Sequence, residues 1–334
     1  LSEVLRESGD LAGAEPLAVE AMRLARAIHP EPHRAMGIAL NNLALIRRAQ
    51  GRSAEARELN EEALALRRLL HSEPHIDKVA SLNNLALLAY TQERDSERAE
   101  ALLREAIAML ETLYPDGHVY LASSLDSLAS VVASRGNLVD AEALSRRSVD
   151  MRRRLLPPNH DLLGEGLSNL GFILRRQGRL DEAEPFYRES LEIRRVAWPG
   201  DHPGVATSLN NYGQLMRASG RLVEAEPLLR EALEMRRRLF PGDSAIVAAT
   251  AHVLGFMLIS MERFDESIEL IEESLAMTER LSGDQREEIA TRRTSLAAAY
   301  RAAIRLDEAI PHAEHALQVR RELQGPDHAE IAQA

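Results

Sequence analysis

The chain has no cysteine among its 334 residues, which excludes disulfides, thiol nucleophiles and cysteine-held metals. Lysine is nearly missing as well. Lys78 stands alone against 40 arginines, the bias that a GC-rich, prokaryotic genome imposes. Aromatic residues make up only 4% of the chain, with one tryptophan, so any core is built from aliphatic side chains and alanine. No apolar run approaches the roughly 18 residues of a membrane span and no signal peptide is visible, so a cytoplasmic chain with no membrane partner is expected. A basic excess is lacking too. The net charge of -11 argues against a general nucleic-acid binder, which needs a basic face. The motifs of chemistry are also absent: there is no P-loop and no GxSxG elbow, and Gly164 and Gly166 form a lone GxG without the strand and spacing of a dinucleotide site. No catalytic residue, cofactor site or metal site is therefore assigned.

What is present is a repeat. From Gly164 to Pro203 two helical patterns meet at Gly178 and end at a PGDHP loop. In the first, Leu167, Leu170, Gly171 and Leu174 fall on one helix face; in the second, Ala183, Phe186, Tyr187, Ser190, Leu191 and Ile193 do so. Neither face is wide enough to fold alone, so the two must pack on each other and on neighbours. The neighbours recur at a step of 42 residues, through Gly9, Gly51, Gly136, Gly178 and Gly220 and on to Glu262 and Ile304. Between Gly51 and Gly136 the step is 85, so one extra residue sits in the third unit, in a five-residue turn from Thr91 to Asp95. Leu40, Leu82, Leu125, Leu167 and Leu209 confirm the register. Such a period predicts an all-α, right-handed solenoid of about eight helix pairs forming a single elongated domain over 1–334. The units are 1–28 (partial), 35–70, 77–113, 119–156, 161–197, 203–240, 245–281, 287–323 and 325–334 (partial). Because neither end shows a polar capping helix, the chain is expected to be a piece of a larger protein.

The repeated residues resemble the tetratricopeptide family. Leu170-Gly171 with Leu174, then Ala183, Tyr187 and Ser190, match the small and large packing positions of that family's helix pair. The LNNLA text (Leu40 to Ala44, Leu82 to Ala86), the EAEP text (Glu182 to Pro185, Glu224 to Pro227) and the PGDHP loop are similar to the kinesin-light-chain type. The resemblance implies that first helices line a concave side and second helices a convex one. It implies a protein or peptide partner, and fixes no particular task.

Three further lattice features have structural readings. Pro16, Pro185, Pro227 and Pro311 fall early in second helices, where a missing N–H is expected to cost little. His33, His75, His118, His160, His202 and His328 precede the first helices and read as caps rather than as a metal array, since they lack companion ligands at zinc-like spacing. His312 and His315 around Glu314 are likewise no HExxH site. The arginines ending second helices (Arg67-Arg68, Arg152 to Arg154, Arg194-Arg195, Arg236 to Arg238, Arg320-Arg321) read as a solvated face neutralised by preceding glutamates.

The remaining surface is a stripe of first-helix residues at i, i+4, i+7, i+11 spacing. It comprises Ile38, Asn42, Leu45 and Ala49; Ala80, Asn84, Leu87 and Thr91; Ser123, Ser127, Ser130 and Ser134; Glu165, Asn169, Phe172 and Arg176; Thr207, Asn211, Gln214 and Ala218; Ala249, Val253, Phe256 and Ser260. An asparagine amide both donates to and accepts from the main chain of an extended peptide. Asn42, Asn84, Asn169 and Asn211 are therefore the contact candidates, with pairing between adjacent helices as the structural alternative. The resemblance implies cargo-peptide contact at those four positions, and fails at Ser127, Val253 and Ser295. Arg48, Arg175, Arg217 and Arg301, with Arg6, repeat at a neighbouring position and form a basic ladder suited to an acidic, extended segment; Phe172 and Phe256 supply apolar pockets. The expected function is a non-catalytic interaction scaffold. The alternative is a sensor arm of a larger prokaryotic effector, with a signalling NTPase or caspase-like protease domain in cis or in trans.

Overall fold

The computed structural model of the protein describes residues 1–7, 10–29, 31–281 and 285–324. Gly9, His328 and the partial ninth unit at 325–334 lie outside the described residues. The described residues form sixteen helices and no strand. The first helices of the pairs are α1 (Ser2–Glu7), α3 (Arg34–Ala49), α5 (Ile76–Thr91), α7 (Val119–Ser134), α9 (Asp161–Arg176), α11 (Pro203–Ala218), α13 (Ala245–Ile259) and α15 (Arg286–Ala302). The second helices are α2 (Leu11–Ile28), α4 (Ser53–Leu70), α6 (Ser96–Leu113), α8 (Leu138–Leu155), α10 (Leu180–Ala197), α12 (Leu222–Leu239), α14 (Phe264–Arg280) and α16 (Leu306–Gln324). The architecture is an all-α array of repeated helix pairs. Contacts gather into two compact units, Leu1–Pro157 and Pro158–Ala334.

Within a pair, small residues let the helices approach. Ala56, Ala99, Ala141, Ala183 and Ala225 are all fully buried at one lattice position. A Cβ on Gly213 would lie 2.7 Å from Leu229 Cγ, and one on Gly171 3.1 Å from the Tyr187 ring, so the missing side chain on one helix makes room for a large one on the other. Gly164 is explained the same way, since its Cβ would meet Arg194 Cγ at 3.0 Å.

The turn inside each pair depends on one left-handed residue. Gly51, Gly136, Gly178 and Gly220 have φ between +74° and +89°, and the following N–H reaches five residues back, as from Arg179 to the Leu174 carbonyl at 3.0 Å. The third unit absorbs its extra residue in a four-residue connection, Gln92–Asp95, with Thr91 kept in the helix; its left-handed residue is Arg94. Glu262 and Ile304 hold the same conformation without being glycine, at φ +58° and +62°. A β-branched residue is least suited to it, and Ile304 is 85% exposed, so its side chain recovers little by packing. Ile304→Gly is therefore expected to stabilise the protein by about 1 kcal/mol, read as a higher urea midpoint with unchanged slope.

Between pairs, the Nδ1 atoms of His33, His75, His118, His160 and His202 each accept the N–H two residues on, at 3.1–3.2 Å, and so cap the first helices. The cap is braced by a ring four residues earlier. His29, His71, Tyr114 and Trp198 stack on His33, His75, His118 and His202 with centroids 3.5–4.3 Å apart.

The prolines depart from expectation. Pro16, Pro185, Pro227 and Pro311 are each the sixth residue of their helix, beyond the free amides of the first turn, so each deprives a carbonyl of its partner. Those carbonyls belong to the exposed residues Ala12, Asp181, Val223 and Asp307, where water substitutes.

The EAEP text has a structural reason too. Its second glutamate, or the acid at that place, receives an arginine from the turn of the next pair, just after the left-handed residue for Arg52 to Glu15 at 3.2 Å, Arg221 to Glu184 at 2.5 Å and Arg263 to Glu226 at 2.5 Å, and just before it for Arg135 to Glu100 at 2.6 Å. The arginine clusters split in two. Arg68, Arg195 and Arg237 are exposed and pair with Glu105, Glu231 and Glu273 of the next second helix, at 2.5–2.8 Å. Arg67, Arg152, Arg194 and Arg236 are not solvated at all; they are at most 6% exposed. One residue of each cluster points inward because neighbours on a helix lie about 100° apart. Inside, Arg67 donates to Ser81 and the Gly37 carbonyl, and Arg194 to Ser208 and the Gly204 carbonyl.

Candidate functional site

Consecutive first helices touch directly in both units, as α5 does α7 and α9 does α11. The stripe identified above lies along their common face, and its members have separate fates. Asn84 Nδ2 donates to Asn41 Oδ1 at 2.6 Å, and Asn211 Nδ2 to Ser168 Oγ at 3.1 Å. These two amides tie adjacent first helices together. Asn42 and Asn169 are half-buried and make no side-chain hydrogen bond among the described residues, which leaves both amides available. The serine floor is less open than its sequence reads, since Ser127, Ser130 and Ser134 return their hydroxyls to the carbonyls of Ser123, Asp126 and Val131.

In the unit Leu1–Pro157 the face is apolar at Ile38 and Leu87, both more than two-fifths exposed, and Arg48 lies towards the far end of α3. Burial lowers the Arg48 pKa, and the nearby charge of Arg6 lowers it further. In the unit Pro158–Ala334 the face is aromatic and basic. Phe172 and Phe256 are 40% and 42% exposed. The Arg175 guanidinium carbon lies 5.5 Å from the Phe172 centroid and that of Arg217 lies 6.0 Å from the Phe256 centroid, so each cation rests on a ring. Burial lowers the Arg217 pKa, and the charge acting with it is a second cation, Arg175.

This separates two populations of arginine. Exposed arginines such as Arg68, Arg195 and Arg237 on second helices and Arg221 after a turn pair with carboxylates across the repeats, whereas Arg48, Arg175, Arg217 and Arg301 form no ion pair among the described residues. The Nε atoms of Arg175 and Arg217 are buried without an acceptor. Arg48 in the unit Leu1–Pro157, and Arg175, Arg217 and Arg301 in the unit Pro158–Ala334, are thus left without a carboxylate partner.

His252, on α13, was not singled out from the sequence. It stands where the other first helices carry Asn41, Asn83, Ser168 or Asn210, and its Nε2 lies 2.8 Å from Ser295 Oγ. Burial, with Arg292 and Arg217 adding to it, pushes its pKa down to about 4. The signal that could have found it is the LNN doublet, whose first member receives a side chain 43 residues ahead.

His71, His75 and Asp77 bring a ligand atom each within 4.8 Å of one another. The two imidazole planes are parallel within 3° and 3.5 Å apart, so their lone pairs cannot both aim at one ion. Nδ1 of His75 caps Asp77 N, and the Asp77 carboxylate takes Arg34 at 2.9 Å. The cluster works as a joint between pairs. His312 is stacked on Tyr300, with centroids 5.7 Å apart.

A family model for the tetratricopeptide repeat matches residues 1–68, 35–112, 120–195, 162–238 and 246–322. The chain belongs to the tetratricopeptide-repeat family. It is similar to the nearly identical repeats of a kinesin light chain of Podospora anserina, at 20% identity over 63% of this chain and 99% of that one, with a TM-score of 0.55. It is also similar to BtubC (BKLC) of P. vanneervenii, at 27% identity over 70% and 94%, with a TM-score of 0.61. A third likeness, at 16% identity over 88% and 78% with a TM-score of 0.59, is the Rap conjugation gene regulator of plasmid pLS20 in complex with the Phr* peptide. No curated protein matches the chain by sequence. No helix among the described residues is long and apolar enough to cross a membrane.

Proposed function

We propose that this tetratricopeptide array is a non-catalytic scaffold that holds an extended, acidic segment of a partner protein on its first-helix face. The observation that carries the reading is the contrast between arginines: the outer ones are neutralised within the chain, and the inner ones, Arg48, Arg175, Arg217 and Arg301, are not. A ligand carboxylate gives such a guanidinium the charge-assisted bond it lacks. Asn42 and Asn169 supply amides to the ligand main chain, and Phe172 and Phe256 offer ring faces to its apolar side chains. A repeat protein of similar fold, the plasmid pLS20 regulator, is itself in complex with a peptide.

The test is a peptide array of extended 12-residue segments in acidic, neutral and basic sets, followed by anisotropy titrations. Acidic peptides are expected to bind, with affinity that falls as salt rises. Asn42→Ala with Asn169→Ala should weaken binding about 5–10-fold at unchanged stability, roughly 1 kcal/mol for lost hydrogen bonds. Asn84→Ala with Asn211→Ala should instead lower stability. Equal binding of neutral and acidic peptides would remove the acidic assignment.

A further inference from the structure

Phe172, Arg175, Arg217 and Phe256 form a row on the face of α9, α11 and α13, the two cations side by side with a ring beneath each. Arg175 lies near the hydroxyl of the buried Tyr187, and Arg217 makes no ion pair among the described residues. Burial and the charge of Arg175 both lower the Arg217 pKa, and the Nε of each arginine has no acceptor. The acidic residue of this stripe, Glu165, is ten residues along α9 from Arg175, about 15 Å at the helical rise. Each ring holds its guanidinium in place without neutralising it.

A single carboxylate brought to this pair cancels one of two positive charges. A phosphoryl group carries close to two negative charges near neutral pH and three acceptor oxygens, enough to take bonds from both guanidiniums at once. Resting on the peptide-scaffold reading above, we propose that Arg175 and Arg217 form a site for one phosphoryl group, carried on a phosphorylated side chain of the bound segment. The site reads the modification, and the rest of the face holds the flanking chain. The free protein holds these two half-buried cations without a carboxylate partner, an arrangement that serves binding rather than stability.

The experiment titrates one acidic peptide in three forms, with serine, phosphoserine or glutamate at a central position, against the whole chain. The phosphoserine form is expected to bind 10–100-fold more tightly than serine and at least 10-fold more tightly than glutamate. Inorganic phosphate should compete only at millimolar concentration. Arg217→Met should erase the preference between the three forms while leaving the melting temperature equal or higher, a result that a purely structural arginine would not give. Arg217→Lys keeps the charge and loses the forked geometry, and should retain only part of the preference. Equal binding of glutamate and phosphoserine forms would overturn the phosphoryl site and leave the acidic scaffold standing. No binding of any form would remove both. Competition by an unrelated oligonucleotide or by ATP as strong as that of the phosphopeptide would overturn the assignment to a modified side chain.

Discussion

Asp126→Ala is expected to destabilise the unit Leu1–Pro157 by about 3–5 kcal/mol, the range for removing one partner of a buried ion pair. Arg152 is 0% exposed and its Nη1 lies 2.8 Å from Asp126 Oδ2, so the variant strands a guanidinium in the core. Of the other buried arginines at this place in their repeats, Arg67 leans on Ser81 and Arg236 on Thr250, both neutral groups, while Arg194 meets Asp161 at 3.2 Å. Arg152 also meets Ser123 Oγ, at 3.3 Å. The measurement is a urea melt of wild type, Asp126→Ala, and the double variant Asp126→Leu with Arg152→Leu. The double variant should recover most of the loss, because apolar replacement removes both desolvated charges. A single variant within 1 kcal/mol of wild type would show that the arginine finds other partners.

The helix pairs were legible because the 42-residue step repeats the same apolar spacing, and helix ends follow from glycine and histidine at fixed places. Even the extra residue of the third unit could be placed to within one position. Direction within a local doublet was not legible. Arg67 and Arg68 are identical letters, yet one is buried against Gly37 and Ser81 while the other is paired at the surface with Glu105. The asparagine doublets behave alike: Asn83 turns to Ser124 and Asn84 to Asn41, one to each neighbouring first helix. Both cases turn on contacts to residues of other helices, which a pattern read along one helix does not contain. The proline register misled for a related reason, since the helix begins a full turn before the proline and the chain accepts the lost bond on its wet side.

The pH response of the unit Pro158–Ala334 should have its largest share from His252, with a further share from His312, whose pKa burial also lowers. His252 titrates near 4 in the folded state, against about 6.5 for an unfolded histidine. Between those values the unfolded chain holds a proton that the folded one excludes, so stability is full above pH 6.5 and declines as pH falls. The shift corresponds to roughly 3 kcal/mol lost by pH 4, of which about 2 is gone by pH 5. The paired carboxylates Glu184 and Glu226 are held below the ordinary range by their arginines, so their contributions give way at lower pH than the onset of this decline. His252→Asn isolates the effect, because asparagine already occupies that position at Asn41, Asn83 and Asn210. Near pH 7.5 the variant should match wild type within about 1 kcal/mol, the worth of one hydrogen bond to Ser295. At pH 5 it should be the more stable of the two. Parallel pH profiles for the two proteins would mean that the imidazole admits a proton where it stands, beside Arg292 and Arg217, and that burial there does not keep it neutral.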